Sequence, residues 1–296
     1  MKKKKSGHSR KPHVFKKIAF VSGYMSPYVM GIYSSIEQAV SRTGMNNYEL
    51  VHYTTLYNEY MANHIMSSLA RGRDADCVIT LSVSPSQASV SEFKKRRIPL
   101  ITIEKKVKGA HSILVDNFAG AYKATEHLVN TGRKKIALIR GEIPVLKTGD
   151  SAVDVPNERQ QGYMAALNKN NITFDQNLVF FVVNHIYEEG YQLFMQMRRN
   201  KNLPEAVFCS AGDYVALGFI EAAQRSGVRI PEDIAVIGFD DALMAPIGET
   251  ALTTVRQPVV GIGMSAFNTA VDALNGKLKS LKSIVFEPEL IIRNTA

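Results

Sequence analysis

Short apolar runs alternate with amphipathic segments along the chain from Lys16 onward. Runs of about four to six apolar residues predict buried strands, and segments with apolar positions every three or four residues predict helices. The predicted strands are 16–21, 48–53, 77–82, 99–104, 112–115, 135–139, 179–183, 207–210, 234–239 and 283–292. The predicted helices are 28–42, 59–71, 86–95, 118–131, 159–170, 188–200, 214–226 and 259–274.

Repeated alternation of strand and helix is typical of parallel sheets that are covered by helices. A second series, similar to the first, opens near residue 135 after a glycine that ends a long helix. The pattern therefore predicts an α/β protein with two doubly wound parallel-sheet lobes, joined by three crossovers, and a ligand cleft between the lobes. We expect a basic disordered leader at 1–15, an N-terminal lobe from 16–132 plus 258–280, and a C-terminal lobe from 133–257 plus 281–296.

Carboxylates stand directly after two apolar strands of the second series. Asp213 follows the strand at 207–210, and Asp240 with Asp241 follows the strand at 234–239. Ligands of open α/β sheets bind at the carboxyl ends of the strands. These acids therefore predict one pocket, with one of the adjacent pair facing it and the other bracing the next loop.

Length and composition agree with an ordinary two-domain globular protein. The chain has 296 residues, of which 45% are hydrophobic and 21% charged. No apolar run approaches the roughly 20 residues of a membrane span, and the basic start is not followed by a signal-peptide pattern. Cys77 and Cys209 both fall in predicted buried strands, so we expect free thiols and a cytoplasmic protein.

The positive charge is concentrated at one end. The formal net charge is +9, and residues 1–17 hold eight Lys and Arg residues and no acid. The rest of the chain is nearly neutral and does not look like a polyanion-binding surface. The basic segment either contacts phosphates or is a solvated leader, and the sequence leaves both alternatives open.

Enzyme motifs are missing from the sequence. It contains no GxGxxG after the first strand, no P-loop and no GxSxG, and its seven histidines have no metal-ligand spacing. We therefore expect no enzymatic activity, no metal and no cofactor.

Several long phrases, in order, resemble the effector-binding core of LacI/GalR-type transcriptional regulators. They are VDNFAGAYKATEHLVNTGRKKIALIRG (115–141), NERQQGYMAAL (157–167), AVFCSAGDYVALGFIEAAQRSGVRIPEDIAVIGFDDALMAP (206–246), LTTVRQP (252–258) and PELIIRNTA (288–296). The resemblance covers about residues 16–296. It implies a type I periplasmic-binding-protein fold that binds a sugar or another polyhydroxylated effector between two lobes. It also implies a homodimer.

The resemblance also implies roles for individual residues. Arg159 would bind ligand hydroxyls with its fork of donors, and Asp213 and Asp240 would accept from hydroxyls. Asp213 has the alternative role of capping the helix that follows it. The remaining implied ligand-binding residues are Tyr28, which stacks on a ring or packs the lobes together, His185, which forms a wall or lies in a surface loop, Gln257 in a crossover, and Ser82 at a strand end.

The sequence departs from the family pattern at three places. Gly212 stands where the family usually has Asn, and the loop 142–156 looks longer than usual. The residues before the first strand show no helix-turn-helix pattern, so we expect contact with operator DNA only through a helix-turn-helix absent from this chain. A stand-alone sugar-binding protein of the solute-binding kind is the alternative function.

Overall fold

The computed structural model describes residues 15–42, 47–72, 74–142 and 154–296. The predicted leader up to residue 14, and most of the loop 142–156, lie outside the described residues. The strands are β1 Lys16–Ser22, β2 Tyr48–Thr54, β3 Cys77–Leu81, β4 Leu100–Ile103, β5 His111–Val115, β6 Ile136–Gly141, β7 Val179–Val182, β8 Ala206–Cys209, β9 Ala235–Asp240, β10 Thr253–Arg256, β11 Ser283–Phe286 and β12 Glu289–Ile291. The helices are α1 Pro27–Arg42, α2 Glu59–Gly72, α3 Gln87–Arg96, α4 Asn117–Asn130, α5 Val155–Lys169, α6 Tyr187–Arg199, α7 Asp213–Arg225 and α8 Val259–Leu274.

Two six-stranded sheets form the centres of the two lobes. The first has the strand order β11-β5-β4-β3-β1-β2, and all its pairs are parallel. The second has the order β12-β10-β9-β8-β6-β7, and only the β10–β12 pair is antiparallel. The sequence pattern therefore predicted the doubly wound α/β class correctly.

Helices cover both faces of each sheet because the central strands are apolar on both sides. In the first lobe, α1 and α8 pack on one face and α2 and α3 on the other. In the second lobe, α6 and α7 cover one face, and α4 and α5 cover the other. Within the described residues, no helix has the length and apolar character needed to cross a bilayer.

The position of α4 differs from the predicted lobe boundary at residue 132. Ala121, Ala124 and Leu128 of this helix lie in the core of the second lobe, against Leu138 and Phe208. The helix therefore follows the first crossover instead of preceding it. Its apolar stripe predicted a buried helix, but a stripe does not say which sheet it will cover.

The last segment also differs from the sequence interpretation. The predicted strand 283–292 is two strands: β11 pairs with β5 in the first sheet, and β12 pairs with β10 in the second. Pro288 separates them, and proline interrupts strand pairing because it has no N–H. The three crossings between the lobes thus lie after β5, after β10 and between β11 and β12.

In both sheets the strand order reverses between two central strands. The reversal lies between β1 and β3 in the first sheet and between β6 and β8 in the second. Such switch points are where open α/β sheets bind ligands, because the loops there leave a crevice at the carboxyl ends of the strands. The crossovers keep the two crevices next to each other.

Candidate functional site: a cleft between two sheet switch points

Arg159 is the cationic centre of the cleft. It stands in the second turn of α5, a helix that Asp154 caps by accepting from the backbone N–H of Asn157. The guanidinium lies 3.6 Å above the Phe239 ring. Its Nε donates to Asn117 Oδ1 at 2.9 Å and its Nη1 to the Ser210 carbonyl at 2.7 Å. Burial lowers the pKa of Arg159, and nearby carboxylates oppose that shift.

A chain of hydrogen bonds connects the two lobes beside Arg159. The Tyr28 hydroxyl, in α1, donates to Gln257 Oε1 at 3.3 Å, and Gln257 Nε2 donates to Asp240 Oδ1 at 2.7 Å. Gln257 belongs to the second crossover and is buried, whereas Tyr28 and Asp240 are partly exposed. Three predicted site residues therefore meet in one place, where polar groups are available to a ligand.

Glu104 is a site residue that the sequence reasoning missed. It directly follows β4, is buried with a φ of 64°, and accepts a hydrogen bond from the Ser82 hydroxyl. Its charge acts on Tyr28, Arg159 and Asp240. The signal was present, since an acid after an apolar strand is the same pattern that singled out Asp240.

The cleft floor contains more acid than base. Glu104 comes from the first lobe and Asp240 from the second, and Arg159 is the cation that interacts with both. Burial raises the pKa of Asp240, while Arg159 and the Gln257 amide oppose the shift. Burial and the two carboxylates raise the pKa of Tyr28, so its hydroxyl keeps its proton and remains a donor. The floor thus suits a ligand that offers many hydrogen-bond donors.

Asp213 occupies a different environment from Asp240. Its carboxylate is 1% exposed. Oδ2 accepts from the Ala242 N–H at 2.7 Å, and Oδ1 accepts from the Thr254 hydroxyl at 2.6 Å. Burial raises the pKa of Asp213 to about 8, helped by the charge of Asp240. The geometry therefore favours a bracing role between β9 and β10 over the predicted contact with ligand hydroxyls.

The helix cap assigned to Asp213 also differs. Asp213 is the first residue of α7, and Gly212 holds the N-cap position with a φ of 122°. An ideal Cβ on Gly212 would lie 3.2 Å from Asp240 Oδ2. The glycine therefore leaves open space beside the carboxylate that faces the cleft.

His185 forms part of the wall on the second lobe. It follows β7 with a φ of 57°, and its Nδ1 lies 2.8 Å from the Ala211 carbonyl. Because a carbonyl oxygen can only accept, Nδ1 is the donor in this contact. The ring lies over Gly141, where an ideal Cβ would be 2.5 Å from His185 Cε1. The side chain is exposed, and its charge acts on Asp240.

The loop that follows β1 lies at the edge of the cleft. The Tyr24 hydroxyl donates to the Asn184 carbonyl at 3.2 Å, which joins the first lobe to the second. Tyr57 packs edge-on against Tyr24, with ring centroids 5.2 Å apart. Among the residues that the structure describes, including those of the cleft, no three His, Cys, Asp or Glu side chains are grouped to hold a metal ion.

Two doubly wound lobes, with a site where the switch points of their sheets face each other, are the architecture of a periplasmic-binding-protein-like protein that binds a ligand. The model of a periplasmic binding protein-like domain matches residues 125–296. The chain is 30% identical to the HTH-type transcriptional repressor PurR of Yersinia enterocolitica over 275 residues, which cover 91% of this chain and 76% of that protein. The protein belongs to the LacI family of transcriptional regulators and carries the effector-binding core of that family.

Solved structures have the same fold. A transcriptional regulator CelR–cellobiose complex has a TM-score of 0.80 and 25% identity, and the match covers 96% of this chain and 86% of that chain. A LacI family regulator from Lactobacillus casei with bound sucrose has a TM-score of 0.80 and 24% identity, with coverage of 95% and 100%. Each of those two proteins has a sugar bound, cellobiose in the first and sucrose in the second.

Proposed function

We propose that the protein senses a neutral sugar or a similar polyhydroxylated molecule in the cleft between its lobes. The observation that carries the proposal is the chain Tyr28–Gln257–Asp240, which lies beside the buried Arg159. Carboxylates and a guanidinium together satisfy many hydroxyls at once. A wrong ligand would leave these groups unpaired, which costs about 1–3 kcal/mol for each buried group.

The charge of the floor narrows the ligand class further. Glu104 of the first lobe and Asp240 of the second lobe both interact electrostatically with the Arg159 guanidinium. A phosphorylated or acidic sugar would bring a further negative charge to this site, and like charges at close range cost several kcal/mol. We therefore expect a neutral sugar to bind in preference to its phosphate ester.

Binding would act on DNA through the angle between the lobes. Three crossovers join the lobes, and ligands of two-lobed proteins commonly close such hinges. A ligand can shift DNA affinity only as far as its affinities for the two lobe arrangements differ. We propose that closure of the lobes changes the distance between the two DNA-binding domains of a dimeric regulator. Dimer geometry sets the spacing of the half-sites that such domains bind.

A homodimer fits the surface of the second lobe. Leu243, Met244 and Ile247 lie in one short stretch and are 88%, 48% and 59% exposed. Grouped exposed apolar side chains commonly mark interaction sites. Closed homodimers with twofold symmetry are the commonest soluble assemblies, and we propose one here.

Titration calorimetry with neutral sugars, their phosphate esters and nucleosides tests the ligand class. We expect at least one neutral sugar to bind, its phosphate ester to bind at least about tenfold more weakly, and Arg159→Ala to abolish the heat. Arg225→Ala removes an exposed arginine of α7 and is the control, with unchanged affinity. Tight binding of an anionic ligand, or binding that survives Arg159→Ala, would reject the site.

A further inference from the structure

Four consecutive cations end helix α3. Lys94, Lys95 and Arg96 form its last turn, and Arg97 follows as the C-cap with a φ of 57°. All four are exposed. Cations near a helix C-terminus interact favourably with the helix dipole, but no other helix of the described chain has more than two in its last turn. The run at α3 is therefore longer than stabilisation of a helix end requires.

The fold places this run at the edge of the first sheet that faces away from the cleft. The sheet is parallel and the cleft lies at the carboxyl ends of its strands, so α2 and α3, which return the chain to the amino ends, both finish at the opposite edge. Arg96 Nη1 donates to the Arg71 carbonyl at 3.2 Å, which joins the two helix ends. Lys16 begins β1 at the same edge. We call the six exposed cations of this edge the basic edge: Lys16, Arg71, Lys94, Lys95, Arg96 and Arg97.

Nearby acids neutralise only part of the basic edge. Lys16 Nζ lies 3.1 Å from Asp76 Oδ1, and Arg96 Nε lies 2.6 Å from Glu92 Oε1. Within the described chain, the other four cations of the basic edge make no ion pair. With Asp74 as a third, exposed acid, six cations against three acids leave a formal charge of +3 on the described residues of this edge.

The position of this charge changes the interpretation of the composition. The chain after residue 17 is nearly neutral in total, and for that reason it was not expected to bind polyanions. The fold, however, brings cations from three separate segments to one edge. Residues 1–17 hold eight Lys and Arg residues, and the last two of these lie in β1, so the basic start of the chain joins the fold at the same edge.

The dimensions of the basic edge suit the phosphate backbone of DNA. It runs from the start of β4 past β3 to the start of β1, which is about 10 Å at the usual strand spacing of about 4.8 Å. Phosphates of one DNA strand repeat about every 3.4 Å along the helix axis, so the edge spans about three of them. A membrane surface fits less well, because no large apolar side chain within residues 74–117 is exposed and stable membrane attachment combines charge with apolar groups.

We propose that the basic edge binds the phosphate backbone of duplex DNA, so that the effector-binding core makes its own contact with DNA in addition to the contacts that a helix-turn-helix makes. Phosphate contacts carry no sequence information and add affinity that depends on salt. The inference is independent of the effector, since the cleft lies at the other edge of the sheet.

Fluorescence anisotropy with a labelled duplex of mixed sequence, about 20 base pairs long, tests the contact between about 50 and 200 mM KCl. The variant combines Lys94→Gln, Lys95→Gln and Arg97→Gln. Each lost phosphate contact lowers the slope of log K against log salt by about 0.9, so the slope should become shallower by about 2–3. Affinity at about 50 mM KCl should fall at least about tenfold.

The matched control removes three exposed cations from the end of α6 in the second lobe, by Arg198→Gln, Arg199→Gln and Lys201→Gln. It has the same net charge as the test variant and should keep the slope and affinity of the wild type. A variant that retains the charges, with Lys94→Arg, Lys95→Arg and Arg97→Lys, should also bind as the wild type does. Equal thermal unfolding midpoints, measured by circular dichroism, show that all the variants are folded.

Three results would overturn the proposal. The first is no binding of the duplex by the wild type, or binding that the test variant leaves unchanged. The second is an equal loss in the test variant and the α6 control, which would mean that only the total charge matters. The third is binding to vesicles of phosphatidylglycerol and phosphatidylcholine, at the same salt, as tight as binding to the duplex and equally sensitive to the test variant.

Discussion

Gln257 connects the site residues of both lobes through one amide. Its oxygen accepts from Tyr28 and its nitrogen donates to Asp240. A side-chain amide suits both neighbours, because the position needs an acceptor on one side and a donor on the other. The identity of this residue therefore matters to the folded state even before a ligand binds.

We predict that Gln257→Glu destabilises the protein more at pH 8 than at pH 5. The new carboxyl would face Asp240 at hydrogen-bonding distance, and two carboxylates so close cannot both ionise. Its folded pKa would rise above the unfolded value, so stability present at low pH is lost as the pH rises. In urea unfolding, the free energy of unfolding of Gln257→Glu should be about 1.5–3 kcal/mol below that of the wild type at pH 8, and the difference should be smaller at pH 5.

Gln224→Glu is the control for that change. Gln224 is an exposed residue of α7 whose amide donates to Thr250 Oγ1 at 2.8 Å. A carboxylate there stays in water and should show no comparable dependence on pH. An equal loss at both pH values for Gln257→Glu would contradict the contact with Asp240.

Asp213 should produce a second dependence on pH. Its pKa is raised from 3.8 to about 8 because the carboxylate is buried and lies near the charge of Asp240. The unfolded chain releases the proton first, so the folded state loses stability as the pH rises from about 4 to 8. In urea unfolding, the free energy of unfolding of the wild type should fall by up to about 1.4 kcal/mol per pH unit relative to that of Asp213→Asn.

Asp272→Asn removes a partly exposed carboxylate of α8 and should leave the pH dependence of the free energy of unfolding unchanged. If wild type and Asp213→Asn have parallel profiles from pH 4 to 8, Asp213 is not protonated in the folded state. In that case its two hydrogen bonds stabilise the carboxylate more than burial opposes it.

At the scale of helices and strands, local periodicity predicted where an element lies along the chain better than it predicted which sheet the element joins. Helix α8 was predicted with its exact bounds, 259–274, because its apolar stripe is regular. The attachment of α4 to the second sheet, and of β11 to the first, depends on contacts between segments far apart in sequence. Glu104 is a different case, since it directly follows the apolar strand β4 and so carries the same local signal as Asp240.

Glycines set the distance between the paired helices of the second lobe. An ideal Cβ on Gly190 of α6 would lie 1.9 Å from the Val215 carbonyl oxygen. One on Gly218 of α7 would lie 1.9 Å from the Tyr187 carbonyl oxygen. Both atoms are backbone, so the helices would have to move apart to accept a methyl group.

We predict that Gly190→Ala and Gly218→Ala each destabilise the second lobe by at least about 1–3 kcal/mol, the usual cost of overpacking. Gly261→Ala in α8 is the control, because its nearest neighbour is the movable Phe286 ring at 3.1 Å. Higher helix propensity should make that change neutral or stabilising by up to about 1 kcal/mol. A neutral Gly190→Ala would show that α6 and α7 can separate freely.

At the scale of the whole molecule, the two lobes of the described chain meet across the cleft through direct hydrogen bonds such as the one from Tyr24 to Asn184. Periodicity predicted the two lobes and their cleft, but it carries no information about the angle between them. That angle depends on contacts such as Tyr24 with Asn184, which are 160 residues apart in sequence. Ligand binding between the lobes would add contacts that exist only when they are close together.

We predict that a saturating sugar ligand reduces the radius of gyration in small-angle X-ray scattering, because hinge closure brings the lobes together. Tyr24→Phe removes one cross-lobe hydrogen bond, worth about 0.5–1.5 kcal/mol, so affinity should fall by no more than about tenfold. The closed dimension at saturation should be the same in this variant, since the ligand still bridges both lobes. An unchanged radius in the wild type at saturation would mean that the effector binds lobes that are already closed, and that DNA affinity is switched by something other than the hinge.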